Sequence, residues 1–185
     1  AALRWHGLNL DIHRALDNKR MEAITWRALA DLHLEQGDAE AALDACARSQ
    51  ALHQGLGEPG ESCRVDALAA CCTRALGRPA AALAQVEATL DRLPRELADC
   101  PTHETIELRW RCQQVLHALR DARAAALLQQ LHADVQATAT QRTEAADRDR
   151  LIQSIPTFRD IVAAYAGRGG QVCNAAGDAE GGVKP

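Results

Sequence analysis

ITWRALADLHLEQGDAEAALDACARSQAL, residues 24–52, consists of two Ala- and Leu-rich segments on either side of Gly37 and Asp38. Residues 64–90, RVDALAACCTRALGRPAAALAQVEATL, repeat this arrangement around Gly77, forty residues further along. Gly ends a helix without steric cost because it accepts a positive φ, and Asp38 can cap the helix that follows. Similarity at a fixed period is typical of a solenoid, in which helical hairpins bury their apolar faces against neighbouring hairpins. The sequence therefore predicts an all-α solenoid.

The same pattern continues outside these two stretches. We predict helical hairpins over residues 19–54, 61–94 and 102–138, with GLGEPG, residues 55–60, as the loop between the first two. Residues 143–166 are predicted to form C-terminal capping helices that cover the open end of the stack. The repeat domain is thus predicted to span residues 1–166. The Gly-rich residues 167–185 lack helical periodicity and are predicted to be a disordered tail.

The chain opens inside an amphipathic pattern, residues 1–18, without an initial Met. Leu3, Leu8 and Ile12 recur near the helical period of 3.6 residues. We interpret this segment as the second helix of a truncated preceding repeat, which makes the chain the C-terminal part of a longer protein. Its exposed apolar face also predicts that the chain can associate as a homodimer through this helix.

Composition and charge argue against several classes of partner. The formal net charge is -4, and Arg residues are interspersed with Asp and Glu, so the basic surface of a nucleic-acid-binding domain is not expected. No run of about 18 apolar residues is present, which argues against a membrane span. The N-terminal residues do not resemble a secretion signal. We therefore expect a cytoplasmic protein that binds neither nucleic acid nor membrane.

The residue types that commonly take part in catalysis or bind metals are scattered along the sequence. The seven Cys are an odd number and form no CxxC pair, so we interpret most of them as small buried apolar residues. Cys100 and His103 could begin a metal site only if Cys112 or His117 folded back onto them. No nucleophile elbow, phosphate-binding loop, HExxH sequence or Gly-rich dinucleotide turn is present. The sequence therefore predicts no enzymatic activity, no cofactor and no metal.

The repeated unit resembles the tetratricopeptide repeat. In the first hairpin Trp26, Leu29, Gly37 and Ala42 match the aromatic, Leu, Gly and Ala positions of that repeat. We expect Trp26 and Ala42 to pack together within this hairpin. The resemblance weakens along the chain: the second hairpin keeps Gly77, Ala82 and Pro94 but has Asp66 at the aromatic position, and the third has Arg120 at the Gly position and keeps only Ala125.

The long period of about forty residues, and the ending DRLIQSIPTFRDIVAAYA, residues 149–166, are similar to the C-terminal sensor regions of bacterial signal-transduction ATPases, cyclase-associated ATPases and transcriptional activators. This resemblance implies a right-handed α-α superhelix of three to four hairpins with a C-terminal capping helix. It also implies a non-catalytic scaffold that binds a protein or peptide, or other domains of its parent chain. The alternative is a domain that senses a small-molecule effector, with Trp5, Trp26 and Trp110 as walls of the site.

In the resembled family the first helices of successive hairpins line a concave groove. Arg is suited to such a groove because its guanidinium donates two parallel hydrogen bonds to a carboxylate, and Trp supplies a large anchor. The alternative reading is that these residues are ordinary solvated side chains and that Trp110 packs between helices. Carried over to this chain, the groove positions are Arg27, Asp31, Leu34, Arg64, Cys71, Arg74, Glu107, Trp110, Gln114 and His117.

Overall fold

A computed structural model describes residues 2–98, 100, 102–141 and 144–177. These residues form nine α-helices and contain no strand, which confirms the all-α prediction. The helices are α1 (Ala2–Ala15), α2 (Lys19–Glu35), α3 (Ala39–Leu56), α4 (Pro59–Ala75), α5 (Pro79–Glu96), α6 (Thr102–Ala118), α7 (Arg123–Thr140), α8 (Ala145–Ser154) and α9 (Pro156–Gly177).

One backbone turn joins most of these helices. Its central residue has a positive φ, and the amide of the next residue donates a hydrogen bond to the carbonyl five residues earlier, as in the Schellman motif. These amide–carbonyl distances lie between 2.8 and 3.2 Å. Four of the turns are spaced twenty residues apart, so the helices between them, α2 to α4, and the next helix, α5, all have 17 or 18 residues. The positive-φ residues are Asp17, Gly37, Gly57, Gly77 and Arg120.

The connection between the first two hairpins is shorter than the sequence predicts. Residues 55–60 were expected to form a loop, but α3 continues to Leu56 and α4 begins at Pro59, because Gly57 makes the same tight turn with a φ of 68°. Pro59 is tolerated at the first helical position, where its missing amide hydrogen has no intrahelical acceptor. The hairpins are therefore linked to each other by the same turn that links the helices within them.

Two other helix ends differ from the sequence prediction. α5 passes through Pro94 and ends at Glu96, because a Pro in the last turn removes only one hydrogen bond. α9 continues to Gly177, so residues 167–177, predicted as part of a disordered tail, are helical. Residues 178–185 of that predicted tail lie outside the described residues.

The helices stack in two rows. In the row of first helices, α2 packs on α4 and α4 packs on α6. In the row of second helices, the backbones of α3, α5 and α7 stay apart within their described residues, and the Glu87–Arg123 ion pair at 2.9 Å joins α5 to α7. The first helices therefore lie closer together than the second helices, and α2, α4 and α6 form the inner side of the stack. At the C-terminal end, α8 packs on α7, and α9 packs on both α6 and α7.

The core consists mainly of Ala, Leu, Val and Cys. One apolar cluster joins α1 to α4 and includes Ala42, with Trp26 packed against it, as predicted. A second, larger cluster runs from α4 to α9. Small side chains let the helices approach closely, but each one buries little area, and burial stabilises by roughly 25 cal/mol per Å². Each residue of the core therefore contributes only a small part of the free energy of unfolding.

Each hairpin also has a polar or cation–π contact at one equivalent position between its two helices. The residue eleven positions before the positive-φ residue reaches across to the second helix in all three hairpins. In the first hairpin this residue is aromatic, and in the others it forms an ion pair. The pairs are Trp26 with Arg48 (4.7 Å from ring centre to guanidinium), Asp66 with Arg92 (2.6 Å) and Arg109 with Asp134 (2.7 Å).

The third hairpin starts its second helix differently. The amide of Ala42 bonds to the carbonyl of Asp38, four residues back, whereas the amide of Ala124 bonds to Asp121, only three residues back. This tighter first turn shifts the helix by one residue. Ala124 is consequently buried and Ala125, predicted at the small-residue position, is exposed.

Arg120 is strained, as the sequence indicates, because it adopts a φ of 56° with an ordinary side chain. A left-handed non-Gly residue costs about 1–2 kcal/mol, part of which is offset by the greater freedom of Gly in the unfolded chain. We therefore expect Arg120→Gly to raise the free energy of unfolding by about 0.5–1 kcal/mol. Urea titration followed by circular dichroism measures this change. Arg120→Ala, which keeps the strain, should show no comparable gain, and an equal gain in both variants would contradict the explanation.

Candidate functional site

Four of the residues predicted for the groove, Arg27, Asp31, Arg64 and Glu107, meet on the inner side of the stack. Arg27 and Asp31 on α2 and Arg64 on α4 line a narrow cavity together with Glu107 and Arg111 on α6. We call these five residues the inner cluster. Leu68 and Leu108 lie beneath it. Because the cavity measures only about 10 Å³, the charged side chains themselves fill most of the space between the helices.

Arg111 holds the inner cluster together. Its Nη2 donates to Asp31 Oδ1 at 2.8 Å and to Glu107 Oε1 at 3.0 Å, which links α6 to α2 past α4. Burial raises the pKa of Asp31, and the nearby guanidinium groups of Arg111 and Arg27 oppose this effect. Arg64 is paired at 3.2 Å with Glu61 on its own helix. The two inner carboxylates are thus held near cations in a partly desolvated place.

Arg27 has an unsatisfied donor. Its Nε is buried, yet it has no hydrogen-bond partner among the described residues. Buried donors of this kind are rare in folded proteins, because removing an N–H group from water without a partner costs about 1–3 kcal/mol. An anionic or carbonyl oxygen placed at the inner cluster would satisfy this group. This is the observation that most favours a ligand-binding role for the inner side.

The remaining predicted groove residues lie elsewhere. Trp110, Gln114 and His117 line a separate cavity of about 480 Å³ among α6, α7 and α9, and Trp110 also packs against the larger apolar cluster. Arg74 is exposed near the end of α4, and Cys71 is buried in the core. Leu34 packs against both apolar clusters rather than facing a ligand. The residues predicted to line a single groove therefore lie at several separate sites.

The division follows from how the helices are displaced along the stack. Forty residues separate Gly37 from Gly77 and forty-three separate Gly77 from Arg120, so Gln114 is the position equivalent to Asp31. The residue that contacts Asp31 is instead Arg111, three residues or nearly one turn earlier. Equivalent positions in the first and third hairpins are therefore not paired on the inner side. Repeat spacing alone could not identify Arg111 for this reason.

The three Trp residues do not enclose one site. Trp5 is 67% exposed on α1. Trp26 lies between the guanidinium groups of Arg14 at 5.5 Å and Arg48 at 4.7 Å. Trp110 is on α6, at the opposite end of the stack. The prediction that they form the walls of an effector site is therefore wrong.

A wider cavity, of about 750 Å³, lies between α5 and α7 with α6 as its floor. It exists because the backbones of α5 and α7 stay apart within their described residues, although the Glu87–Arg123 ion pair bridges the two helices at one edge. This cavity was not predicted from the sequence, although Leu90 and Leu93 on α5 and Leu97 just after it indicate a longer apolar face there. Two Arg residues lie at its edge, and both are paired with carboxylates. Arg109 pairs with Asp134, and Arg123 pairs with Asp121 and Glu87. The cavity is thus suited to an apolar ligand without a strong charge.

Five of the Cys residues are buried, as predicted: Cys46, Cys63, Cys71, Cys72 and Cys112. Burial raises the pKa of the Cys63 and Cys112 thiols to about 12 and that of Cys71 to about 11. Cys100 is half-buried and lines the 750 Å³ cavity. Among the described side chains, no three His, Cys, Asp or Glu residues lie close enough together to hold a metal ion. The side chain of His103, considered with Cys100 as the start of a metal site, lies outside the described side chains.

No protein-family model matches the chain, and comparisons with curated proteins and with solved structures find no match either. The tetratricopeptide resemblance therefore stays a prediction from the sequence. In the part of the chain that the structure describes, no helix combines the length and the apolar character needed to cross a bilayer.

The thiols provide a test of this arrangement. At pH 8 a thiol with a pKa of about 11 or 12 is ionised to roughly one part in a thousand or less, and only the thiolate reacts quickly. In a Cys173→Ser background, we expect iodoacetamide to modify Cys100 alone in the folded protein, as read by mass spectrometry. The other five should react only in urea. Rapid modification of Cys71 or Cys112 without denaturant would show that the core is open.

Proposed function

We propose that this chain is a non-catalytic protein-interaction scaffold of the tetratricopeptide type, curved as a right-handed superhelix, which binds an acidic peptide segment at the inner cluster. The segment belongs to a partner protein or to another domain of the parent chain. The observation that carries the proposal is the buried, unpartnered Nε of Arg27 beside two further guanidinium groups.

The unsatisfied donor of the inner cluster favours an anionic ligand. Arg111 is paired with Asp31 and Glu107, and Arg64 with Glu61, whereas the buried Nε of Arg27 has no hydrogen-bond partner among the described residues. A ligand carboxylate can accept hydrogen bonds from a guanidinium in a fixed fork geometry, and such charge-assisted bonds contribute about 1.5–3 kcal/mol. The ligand has to displace some of the existing ion pairs because the cavity is narrow. Binding is therefore expected to reorient Arg111.

The position of the inner cluster also supports the proposal. It is built from three helices that belong to three different hairpins, so a ligand bound there contacts all three units at once. Side chains on packed helices are held more rigidly than side chains on loops, which lowers the entropy lost on binding. An extended peptide can follow the inner side across α2, α4 and α6. A small inorganic anion would use only part of this surface.

The test is the affinity of the full chain for a set of fluorescent peptides rich in Asp and Glu, measured by anisotropy. Matched peptides with Asn and Gln at those positions serve as the uncharged comparison. We expect Arg27→Gln to weaken binding of the acidic peptides about tenfold or more, because one charge-assisted hydrogen bond is lost. Arg78→Gln, which removes an exposed Arg at the turn before α5, should leave affinity unchanged.

Two results would count against this function. If no acidic peptide binds, or if Arg27→Gln and Arg78→Gln bind equally well, the inner cluster is structural only. Unfolding in urea must be measured for each variant, so that a loss of affinity is not confused with a loss of fold. Trp110→Phe is a further comparison, because Trp110 lies in a different cavity and should not affect the acidic peptides.

The 750 Å³ cavity favours a second candidate function, a domain that senses a small-molecule effector and regulates an attached ATPase, cyclase or transcription-factor domain. Its volume lies within the range of about 300–1,000 Å³ that ligand pockets occupy, and much of its lining is Leu. Under this alternative the effector is mostly apolar and binds between α5 and α7. It would stabilise the folded state by mass action.

We expect a metabolite that fills this cavity to raise the melting temperature and to slow alkylation of Cys100 at the same time. Ala126→Phe should abolish both effects, because Ala126 lines the cavity and the larger side chain occupies it. Ala84→Phe on the exposed surface of α5 is the matched control. A metabolite that raises the melting temperature equally in the wild type and in Ala126→Phe binds elsewhere, which would exclude this cavity as the sensor site.

A further inference from the structure

α1 has apolar residues on two opposite faces. One face packs on α2 and buries Leu10. The other presents an exposed stripe: Trp5, Leu8 and Ile12 are 67%, 45% and 53% exposed. Isolated exposed apolar residues are ordinary, but a continuous stripe on one helix marks a site that another surface covers.

The spacing of the stripe indicates what covers it. Trp5, Leu8 and Ile12 follow one another at three and then four residues, which is the repeat of a two-helix coiled-coil seam. Leu16, just past the end of the helix, continues it by four more and is 71% exposed. Helices that pack through such a seam fit best against another helix with the same seam. A second α1 satisfies this requirement.

The charges beside the stripe are self-complementary. Arg4 and Asp11 stand seven residues apart, so they lie on the same edge of the stripe, about 10.5 Å from each other along the helix. Both are exposed, and neither forms an ion pair with any residue in the described part of the protein. The opposite edge carries Asn9, which is uncharged.

We propose that the chain forms a homodimer in which α1 packs antiparallel against α1 of a second copy. A two-fold axis near Leu8 lays the charged edge of one helix against the same edge of the other, reversed in direction. Arg4 of each copy then lies beside Asp11 of the other copy, which gives two ion pairs. Parallel packing would place the charged edge against the Asn9 edge and give none. This inference is independent of what binds the inner cluster.

The dimer is expected to be weak. A single helix of 14 residues buries less than the roughly 1,600 Å² of a standard interface, so a dissociation constant in the micromolar range is reasonable. The ion pairs are exposed to solvent at the edge of the seam, and salt screens such pairs. Association should therefore weaken as ionic strength rises, without being lost, because the apolar stripe remains.

Sedimentation velocity of the full chain over a range of concentrations tests the proposal. We expect a monomer–dimer equilibrium for the wild type, loss of the dimer in Leu8→Glu, and no effect of Arg78→Glu, a charge change at an exposed turn. If the wild type stays monomeric at the highest concentration reached, the proposal is wrong, and the stripe is then a contact surface for a different protein. Circular dichroism confirms that the exposed substitutions do not unfold the chain.

The direction of packing is tested with two charge reversals. Arg4→Glu and Asp11→Arg should each weaken self-association about tenfold, because both ion pairs of the homodimer are then replaced by pairs of like charge. Mixing the two variants in equal amounts should restore the dimer, since Glu and Arg then face each other across the seam. A double variant carrying both changes should also dimerise. If neither single variant weakens association, or if mixing restores nothing, the antiparallel pairing is wrong.

Discussion

The constraint on which the structure depends is the left-handed turn at Asp17, Gly37, Gly57, Gly77 and Arg120. Each turn ends a helix with a hydrogen bond from the following amide to the carbonyl five residues earlier, and it sends the chain back along the preceding helix. Because the first four turns come every twenty residues, α2 to α5 match in length at 17 or 18 residues. A core of small side chains is sufficient only because this backbone geometry brings the helices close together.

This stacking produces two different kinds of surface. The first helices contact one another, so polar side chains from α2, α4 and α6 are brought into one narrow space and pair through Arg111. The backbones of the second helices stay apart within their described residues, and the gap between α5 and α7, bridged by the Glu87–Arg123 ion pair, becomes a cavity of about 750 Å³. A crowded, charged inner side and an open, apolar outer cleft are thus consequences of the same stacking.

Much of the fold could be predicted because its signals are local. Gly37 and Gly77 take the conformation that few other residues accept, and Trp26 and Ala42 pack together as the repeat pattern predicts. Arg120 adopts the same turn against its own preference, since the helices on either side are already held by the core. The burial of Ala124 in place of Ala125 could not be predicted, because it depends on a three-residue hydrogen bond in the first turn of α7.

The sequence by itself determined the helical class, the period and the places where the chain turns, because these follow from backbone preferences and from apolar periodicity. Only the tertiary structure decided which side chains meet. Asp31 contacts Arg111 and not the equivalent Gln114, because the third hairpin is displaced by nearly one turn relative to the first, and that displacement depends on the packing of whole helices. The inner cluster and the outer cavity therefore depend on long-range contacts that repeat spacing does not encode.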